Sequence, residues 1–168
     1  MNGTPDRMTL PTEVSLTVNG QCLSAQVPAR THLADMLRAS LGLNGTRLGC
    51  ELGQCGACTV SLNGQSVRSC LTLAVQAQGA SVLTIEGMAD DPIGRVLQDC
   101  FIEHHAMQCG YCTAGMIISA HELLQEHPMP TGEQVRERLS GNYCRCTGYE
   151  AIVVAVLAAA KRLAGVGP

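Results

Sequence analysis

Alternating apolar and polar residues near the N-terminus predict a β-hairpin. Residues 13–18 alternate, Asn19-Gly20 follows, and residues 21–27 continue as a second strand. An Asn-Gly pair between two such runs is the strongest short-range hairpin signal, because both residues adopt positive φ readily. A further strand is predicted over residues 58–62, followed by a second Asn-Gly turn at Asn63-Gly64, and residues 81–85 predict another strand.

Between the hairpin and the strand at 58–62, apolar residues recur at helical spacing, at Leu33, Met36, Leu37 and Leu41. Thr31 is the expected N-cap and Gly42 the expected end of this helix. Strands, a helix, a loop and more strands within about 85 residues predict a small mixed sheet with a helix across one face, which is an α+β layout. The type of the segment 71–79 stays open.

The hydrophobic period changes to that of a helix after residues 86–92, a polar stretch with Gly and Pro. We therefore place a domain boundary there and predict two domains, 1–86 and 87–168. The second domain is predicted to be all helical, with helices beginning at Pro92, over 113–126, over 132–139 and over about 148–163. Thr131 and Gln134 form a capping-box pattern at the start of the third.

The overall composition excludes several classes of protein. A net charge of −3 gives no basic footprint, so we expect no nucleic-acid binding. The start of the chain lacks the basic and apolar regions of a secretory signal. The longest apolar run, 151–160, is too short to span a bilayer and predicts a buried helix instead. We expect a soluble, cytoplasmic protein.

Four cysteines in the first half have the spacing of plant-type [2Fe–2S] ligands. They stand at C-x4-C-x2-C with a fourth after eleven further residues, at Cys50, Cys55, Cys58 and Cys70. We expect Gly49, Gly53 and Gly56 to take positive φ and to turn backbone N–H groups toward the sulfurs. The alternative is a structural zinc loop, but zinc knuckles usually space their ligands as C-x2-4-C pairs.

Four further cysteines precede two of the predicted helices, at Cys109, Cys112, Cys144 and Cys146. Thr113 and Thr147 follow these pairs directly, and we expect them to cap helices whose positive ends favour thiolates. Two helix hairpins that each offer two thiolates predict an approximate two-fold arrangement around one centre. An all-cysteine zinc site competes here, although C-x-C is less usual for zinc. A second [2Fe–2S] cluster is favoured, and the lack of a C-x-H pair argues against a Rieske centre.

The grouping of the cysteines argues against disulfides. Ten of the 168 residues are Cys, below the ~8–10% typical of disulfide scaffolds. Two sets of four indicate metal ligands in a reducing compartment. Cys22 and Cys100 belong to neither set, and we expect them to be small buried apolar residues.

Other polar and sulfur-containing residues carry weaker signals. His104 and His105 are expected to be structural or solvated, and Glu122 and Glu126 to lie on a wet helix face. Arg145, between two predicted ligands, is a candidate to offset the charge of a cluster or to reach a partner. Core or interface roles are expected for Met36, Met88, Met107 and Met116.

Several strings resemble the iron–sulfur subunit of the molybdenum hydroxylases, the xanthine oxidase family. They are TRLGCELGQCGACTVSLNG, SVRSC, TIEGM, HAMQCGYCTAGMI, PTGEQVRERLSGNYCRCTGY and IVVAV, and the likeness runs from Val14 to Ala160. It implies an N-terminal β-grasp ferredoxin-like domain and a C-terminal four-helix domain. As a separate chain the sequence resembles the small subunits of bacterial three-subunit enzymes. Ala114 stands where Pro is common in the family, and Tyr143 where Leu or Ile is common.

The resemblance also implies cofactors and partners. Two [2Fe–2S] clusters belong to this chain, with molybdopterin (as the cytosine dinucleotide) on a large subunit and FAD on a medium subunit, in a dimer of heterotrimers. The second cysteine set would lie against the molybdenum cofactor and the first would face the flavin. Gln108 matches the family glutamine beside the pterin, and Cys146 matches the ligand whose sulfur contacts it.

The resulting hypothesis is a subunit that passes electrons from the molybdenum cofactor to FAD during hydroxylation, with water as the oxygen source. The sequence has no G-x-G-x-x-G, no P-loop and no evident Ser/His/Asp or Cys/His arrangement. No catalytic residue is therefore predicted, and no activity is expected from the chain alone. An N-heteroaromatic substrate such as quinoline is preferred over CO, aldehydes and aryl-CoA. A free ferredoxin and a zinc-stabilised interaction module are the more distant alternatives.

Overall fold

The computed structural model describes residues 10–166 and contains one five-stranded sheet and five helices. The strands are β1 Pro11–Val18, β2 Gln21–Pro28, β3 Thr59–Leu62, β4 Gln65–Arg68 and β5 Ser81–Leu83. The helices are α1 Leu33–Asp35, α2 Pro92–Glu103, α3 Thr113–Glu126, α4 Gly132–Leu139 and α5 Glu150–Leu163. A mixed sheet that precedes a run of helices agrees with the α+β expectation.

Both predicted Asn-Gly turns connect antiparallel strands. Asn19 and Gly20 have φ of 51° and 80°, and Asn63 and Gly64 have φ of 51° and 87°. Positive φ at both central residues is the type I′ requirement, which suits the right-handed twist of a hairpin. The turns fix the registers Val18 with Gln21 and Leu62 with Gln65.

The sheet has the strand order β2-β1-β5-β3-β4. The last strand, β5, inserts between the two hairpins, parallel to β1 and antiparallel to β3. One face of the sheet buries Val14, Leu16, Val18, Val60 and Val82 against α1. This insertion brings β3 and β4, which flank the first cysteine set, into one sheet with the N-terminal hairpin.

The first helix is shorter than predicted and differs in type. Only Leu33–Asp35 is α-helical, and a π-helical turn over Met36–Ser40 follows, in which Leu41 N donates to Met36 O at 3.0 Å. The N-cap is His32, so the prediction of Thr31 was wrong. The wider π turn keeps Leu33, Met36 and Leu37 fully buried in the core under the sheet.

Two short segments also differ from the prediction. The strand predicted over 81–85 ends at Leu83, and Ile85–Ala89 forms a 3₁₀ turn inside the region predicted as a polar linker. The unassigned segment 71–79 contains a second 3₁₀ turn, Ala74–Ala77, whose two alanines are buried. Both turns bury residues, Ala74 and Ala77 in one and Gly87 and Met88 in the other, without a periodic pattern that would have predicted them.

The helical segment follows the predicted boundaries closely. Asp91 caps α2 by accepting a hydrogen bond from Gly94 N at 2.8 Å, and Pro92 occupies the first turn. The capping box of Thr131 and Gln134 is present at α4. The last helix begins at Glu150, two residues after the predicted start, and packs one apolar face against α2.

The core has two parts. One lies between the sheet and α1 and runs in sequence from Val14 to Val82; the other lies among α2–α5 and runs from Met88 to Ala160. The two parts adjoin because α3 also packs against β3 and β4. The domain boundary at residue 86 stays a prediction.

Within residues 10–166, every helix is too short or too polar to cross a membrane.

Candidate metal centres

The first four cysteines lie on the loop between α1 and β3 and just beyond β4. Cys58 immediately precedes β3 and Cys70 lies two residues after β4, and both are 2% exposed. Ser69 ties the strand ends together, because its amide and its hydroxyl both donate to Cys58 O, at 3.3 and 2.7 Å. The antiparallel pairing of β3 with β4 therefore brings the Cys58 and Cys70 thiols side by side.

The loop backbone curls as expected at two of the three glycines. Gly53 and Gly56 have φ of 74° and 73°, but Gly49 does not take positive φ, so that part of the prediction was wrong. Gly49 is required for a different reason, since a Cβ there would lie 2.9 Å from Cys55 Sγ. Glu51 also has positive φ, at 54°, which no sequence pattern predicted.

Backbone N–H groups do point at a sulfur in this loop. Cys50 Sγ accepts from Cys55 N at 3.3 Å and from Leu52 N at 3.4 Å. These hydrogen bonds, that of Cys55 first, lower the pKa of Cys50 to about 7, because they stabilise the thiolate. Burial and the adjacent Cys58 thiol raise the pKa of Cys70 to about 11. The loop thus contains one half-buried thiol of lowered pKa, Cys50, and one buried thiol of raised pKa, Cys70.

The second four cysteines lie in two loops that face each other. Cys109 and Cys112 lie between α2 and α3, and Cys144 and Cys146 lie between α4 and α5. The Cys109 and Cys146 sulfurs are 3.6 Å apart. Burial, and then the neighbouring Cys144 thiol, raise the pKa of Cys112 to about 12.

Cys112 and Cys144 both pack against the helical core, but Cys144 also has a polar partner in Thr147. The hydroxyl of Thr147 lies 3.1 Å from Cys144 Sγ, and Thr147 N donates to the same sulfur at 3.4 Å. Burial raises the pKa of Cys144, but hydrogen bonds, first those of Thr147 and then those of the Cys146 amide and the Cys112 thiol, outweigh burial and leave it below the usual thiol value. Thr147 therefore acts on a cysteine directly, rather than through a helix end.

The predicted helix-cap arrangement at these cysteines was wrong in both loops. Cys112 itself occupies the N-cap position of α3, and Thr113 is the first helical residue. The N-cap of α5 is Tyr149, which has φ of 70° and whose hydroxyl accepts from Cys144 N at 2.8 Å. Since α5 begins four residues after Cys146, its positive end lies beyond the second cysteine pair.

The sulfurs of both sets come together as pairs of thiols. The pairs are Cys50 with Cys55, Cys58 with Cys70, Cys109 with Cys146, and Cys112 with Cys144. Across residues 10–166, no three His, Cys, Asp or Glu side chains converge on a single point suited to one ion. Two thiols for each of two iron atoms is the ligand arrangement of a [2Fe–2S] cluster with four cysteines. The residues present therefore fit such a cluster in each set.

One cavity of about 160 Å³ connects the two sets. It is lined by all four cysteines of the second set, by Cys55 of the first, and by Gly49, Ala57, Tyr111, Tyr143 and Arg145. Its presence between the loops means that the two candidate centres are neighbours within one part of the molecule.

Gln108 lies where the resemblance predicted, beside the second set. Its side-chain amide donates to Cys146 O at 3.1 Å, and both residues are exposed. The structure thus brings the two residues of the predicted cofactor contact together on one surface. Their contact with a pterin stays a prediction.

The weaker candidates had mixed outcomes. Cys100 is fully buried as expected, but Cys22 is exposed on β2, so its predicted burial was wrong. His104 and His105 lie at the end of α2 and do not line the cavity of the cysteines. Arg145 does line that cavity, and its electrostatic role stays a prediction.

The predicted wet face of α3 is only half correct. Glu126 is exposed, whereas the Glu122 side chain is 14% exposed, pairs with Arg138 at 3.0 Å and accepts from Ser66 N at 3.1 Å. Met36, Met88 and Met116 are fully buried, as expected for core residues.

Three residues link the two ligand loops, and their linking role was not predicted from the sequence. Tyr143 N donates to Cys55 O at 2.8 Å, Tyr111 Oη donates to Leu48 O at 2.7 Å, and Asn142 is buried against the first loop. Periodicity marks none of them. Their only signal in the sequence is that each lies within two residues of a predicted ligand.

Comparisons with known proteins define the class. Residues 16–84 match the family model of a 2Fe-2S iron-sulfur cluster binding domain, and residues 84–157 match that of a [2Fe-2S] binding domain. The chain is 54% identical to the nicotine 6-hydroxylase small subunit of Paenarthrobacter nicotinovorans, over 86% of this chain and 87% of the relative.

Solved structures agree with these matches. The crystal structure of quinoline 2-oxidoreductase from Pseudomonas putida 86 matches with a TM-score of 0.88 and 49% identity, over 93% of this chain and 98% of that one. Aldehyde oxidoreductase from Desulfovibrio gigas matches with a TM-score of 0.86 and 42% identity, over 94% of this chain and 18% of that one. The chain belongs to the small iron–sulfur subunits of the molybdenum hydroxylases of the xanthine oxidase family.

Proposed function

We propose that this chain is the electron-transfer subunit of a molybdenum hydroxylase and is inactive alone. Its cysteines would hold two [2Fe–2S] clusters, one on Cys50, Cys55, Cys58 and Cys70 and the other on Cys109, Cys112, Cys144 and Cys146. Electrons pass from a molybdenum cofactor on a large subunit to FAD on a medium subunit, while water supplies the oxygen for hydroxylation. When bound, such clusters accept and release single electrons at potentials tuned by nearby N–H groups and burial.

The observation that carries the proposal is the contact between the two ligand loops. Tyr143 N donates to Cys55 O at 2.8 Å, and Tyr143 directly precedes Cys144. A ligand of the first set is therefore joined to a ligand of the second by backbone bonds and one hydrogen bond. A chain that conducts electrons between partners needs this kind of short, rigid connection.

The exposed side of the second set supports its orientation toward the large subunit. Cys109, Cys146 and Gln108 are all exposed in this chain alone, and each carries polar atoms at the surface. A partner surface over them would bring the Gln108 amide to a pterin and shield the sulfurs. In line with the family resemblance, we assign the first set to the side of the medium subunit, in a dimer of heterotrimers in the cytoplasm.

For the substrate, we propose an N-heteroaromatic compound. The identity to the small subunits that serve nicotine and quinoline is 54% and 49%, against 42% for the aldehyde enzyme. The test is to purify the complex through a tag on this chain and to assay quinoline, nicotine, aldehydes and CO. Label from ¹⁸O-water is expected in a hydroxylated heteroaromatic product, and activity confined to aldehydes or CO would overturn the substrate assignment.

The cluster assignment is tested on the full-length chain by metal analysis. Two [2Fe–2S] clusters predict about four iron and about four acid-labile sulfide per chain, and two distinct EPR signals after reduction. Replacing Cys58 by Ala should remove one signal and leave the other, and Cys112→Ala should do the reverse. About two zinc per chain, with no sulfide and no colour, would contradict the proposal.

The inactivity of the separate chain is a further test. The purified, cluster-loaded subunit is expected to reduce no dye when supplied with the substrates of the complex. Turnover by this chain alone would show that substrate chemistry takes place here.

A further inference from the structure

One buried amide ties the two ligand loops to each other. Asn142 is 1% exposed and lies two residues before Cys144. Its Nδ2 donates to Gly56 O at 3.0 Å and approaches Thr59 Oγ1 at 3.4 Å. Gly56 lies between the ligands Cys55 and Cys58. The hydrogen bond therefore joins the first ligand loop to the loop that carries Cys144 and Cys146.

The other end of the same amide is held by α3. Ser119 Oγ donates to Asn142 Oδ1 at 3.0 Å, and Ser119 is itself 3% exposed. Both Oδ1 and Nδ2 of this buried amide are hydrogen-bonded. The Asn142 side chain therefore has one favoured orientation, because a flipped amide would leave buried polar groups unpaired.

The packing around this amide leaves no room for movement. A Cβ at Gly115 of α3 would lie 2.2 Å from Gly56 O, and a Cβ at Gly56 would lie 2.6 Å from Gly141 O. Two glycines that face each other let the loop backbone rest directly on the helix. Arg68 adds a second connection at the rim, because its guanidinium donates to Thr59 Oγ1 and, at 2.7 Å, to Gly141 O.

We propose that Asn142 is a positioning residue for electron transfer, which fixes the separation of the two clusters by holding both ligand loops against α3. The inference rests on the proposed function and adds to it a residue that binds neither cluster. Each loop is irregular and has no ladder of its own, so the Tyr143–Cys55 hydrogen bond keeps its length only while Asn142 holds the loops together. Electron transfer falls steeply with distance, and a small opening of this junction would slow it.

The experiment compares Asn142→Leu, which loses the bond to Gly56 O, with Ser119→Ala, which loses only the bond from α3, in the full-length, cluster-loaded chain. Leucine keeps the volume but removes the donor to Gly56, whereas Ser119→Ala removes only the bond to Asn142 Oδ1. The readout is the magnetic coupling between the two reduced clusters, which declines with the inverse cube of their distance and appears as splitting of the EPR lines. We expect loss of the splitting in Asn142→Leu, a smaller reduction in Ser119→Ala because the bond to Gly56 O remains, and full iron content in both.

A second variant covers the case in which Asn142→Leu does not fold. Gly115→Ala is favourable for a helix but drives a methyl group against Gly56 O, so it should reduce the same splitting. Splitting equal to that of the unmodified chain in Asn142→Leu, or in Gly115→Ala if only that variant folds, overturns the positioning role and leaves the proposed function intact. An unmodified chain without iron or without two EPR signals overturns the proposed function instead.

Discussion

Cys50 and Cys112 mark the two extremes of thiol acidity among the candidate ligands. Two amides stabilise the Cys50 thiolate and bring its pKa to about 7, whereas burial takes that of Cys112 to about 12. A metal centre needs all of its thiols deprotonated, so binding must release protons, and most of them from the buried positions. At neutral pH, metal binding therefore requires less deprotonation of Cys50 than of Cys112.

Alkylation of the metal-free full-length chain checks this difference in acidity. Because the pKa of Cys50 is lowered, its reaction with iodoacetamide should increase through pH 7, where an ordinary thiol of pKa about 8.5 is still mostly protonated. Cys112 should remain unmodified up to pH 9. Peptide mass spectrometry over time measures both sites, with a free cysteine peptide as the reference thiol. A Cys50 midpoint equal to that of the free peptide would contradict the structure.

At the scale of elements, the features predicted correctly from the sequence are those that depend on residues close together in the chain. The Asn-Gly turns, α3 and the Thr131 capping box depend on residues within one turn of each other, and all were predicted correctly. The π-helical turn at Met36–Ser40 was not, because burial under the sheet imposes it. The ligand spacing identified both cysteine sets, but their pairing depends on how distant loops fold together.

Thr131, which caps α4, and Thr31, which does not cap α1, allow a test of the assigned helix caps. Thr131→Ala removes the hydroxyl that accepts from Gln134 N, and should cost about 1 kcal/mol of the free energy of unfolding. For a chain of this size that lowers Tm by about 2–4 °C. Thr31→Ala, at the position wrongly predicted as a cap, should change stability by no more than about 0.5 kcal/mol. Thermal unfolding followed by circular dichroism compares the two, and equal shifts would contradict the assigned caps.

At the scale of the whole molecule, α3 connects the sheet to the helical segment. Its N-terminal residue follows Cys112, its middle carries Gly115 and Ser119, and Glu122 accepts from Ser66 of β4 while it pairs with Arg138 of α4. One helix therefore contacts both candidate centres, the sheet and a second helix. Residues on it affect both halves of the chain together.

Substitutions at Glu122 and Glu126, one turn apart on α3, test whether α3 connects the two halves. Glu122 contacts both β4 and α4, whereas Glu126 only pairs with α4 at the surface. Glu122→Ala leaves Ser66 N without its partner at a half-buried site and should cost about 1–3 kcal/mol of the free energy of unfolding. Glu126→Ala removes only an exposed pair with Arg138, worth about 0–1 kcal/mol. Urea unfolding measures both. A larger effect at Glu126 would show that α3 does not connect the halves through Glu122.

The contact between Ser66 and Glu122 also has a consequence for how the chain is made. Strand β4 is an edge strand of the sheet, and an uncovered edge strand can pair with strands of other chains. Its cover is α3, which leaves the ribosome only after the whole sheet has been synthesised. During that interval the nascent chain exposes the edge of β4, and severing the first 86 residues from the rest would make the exposure permanent.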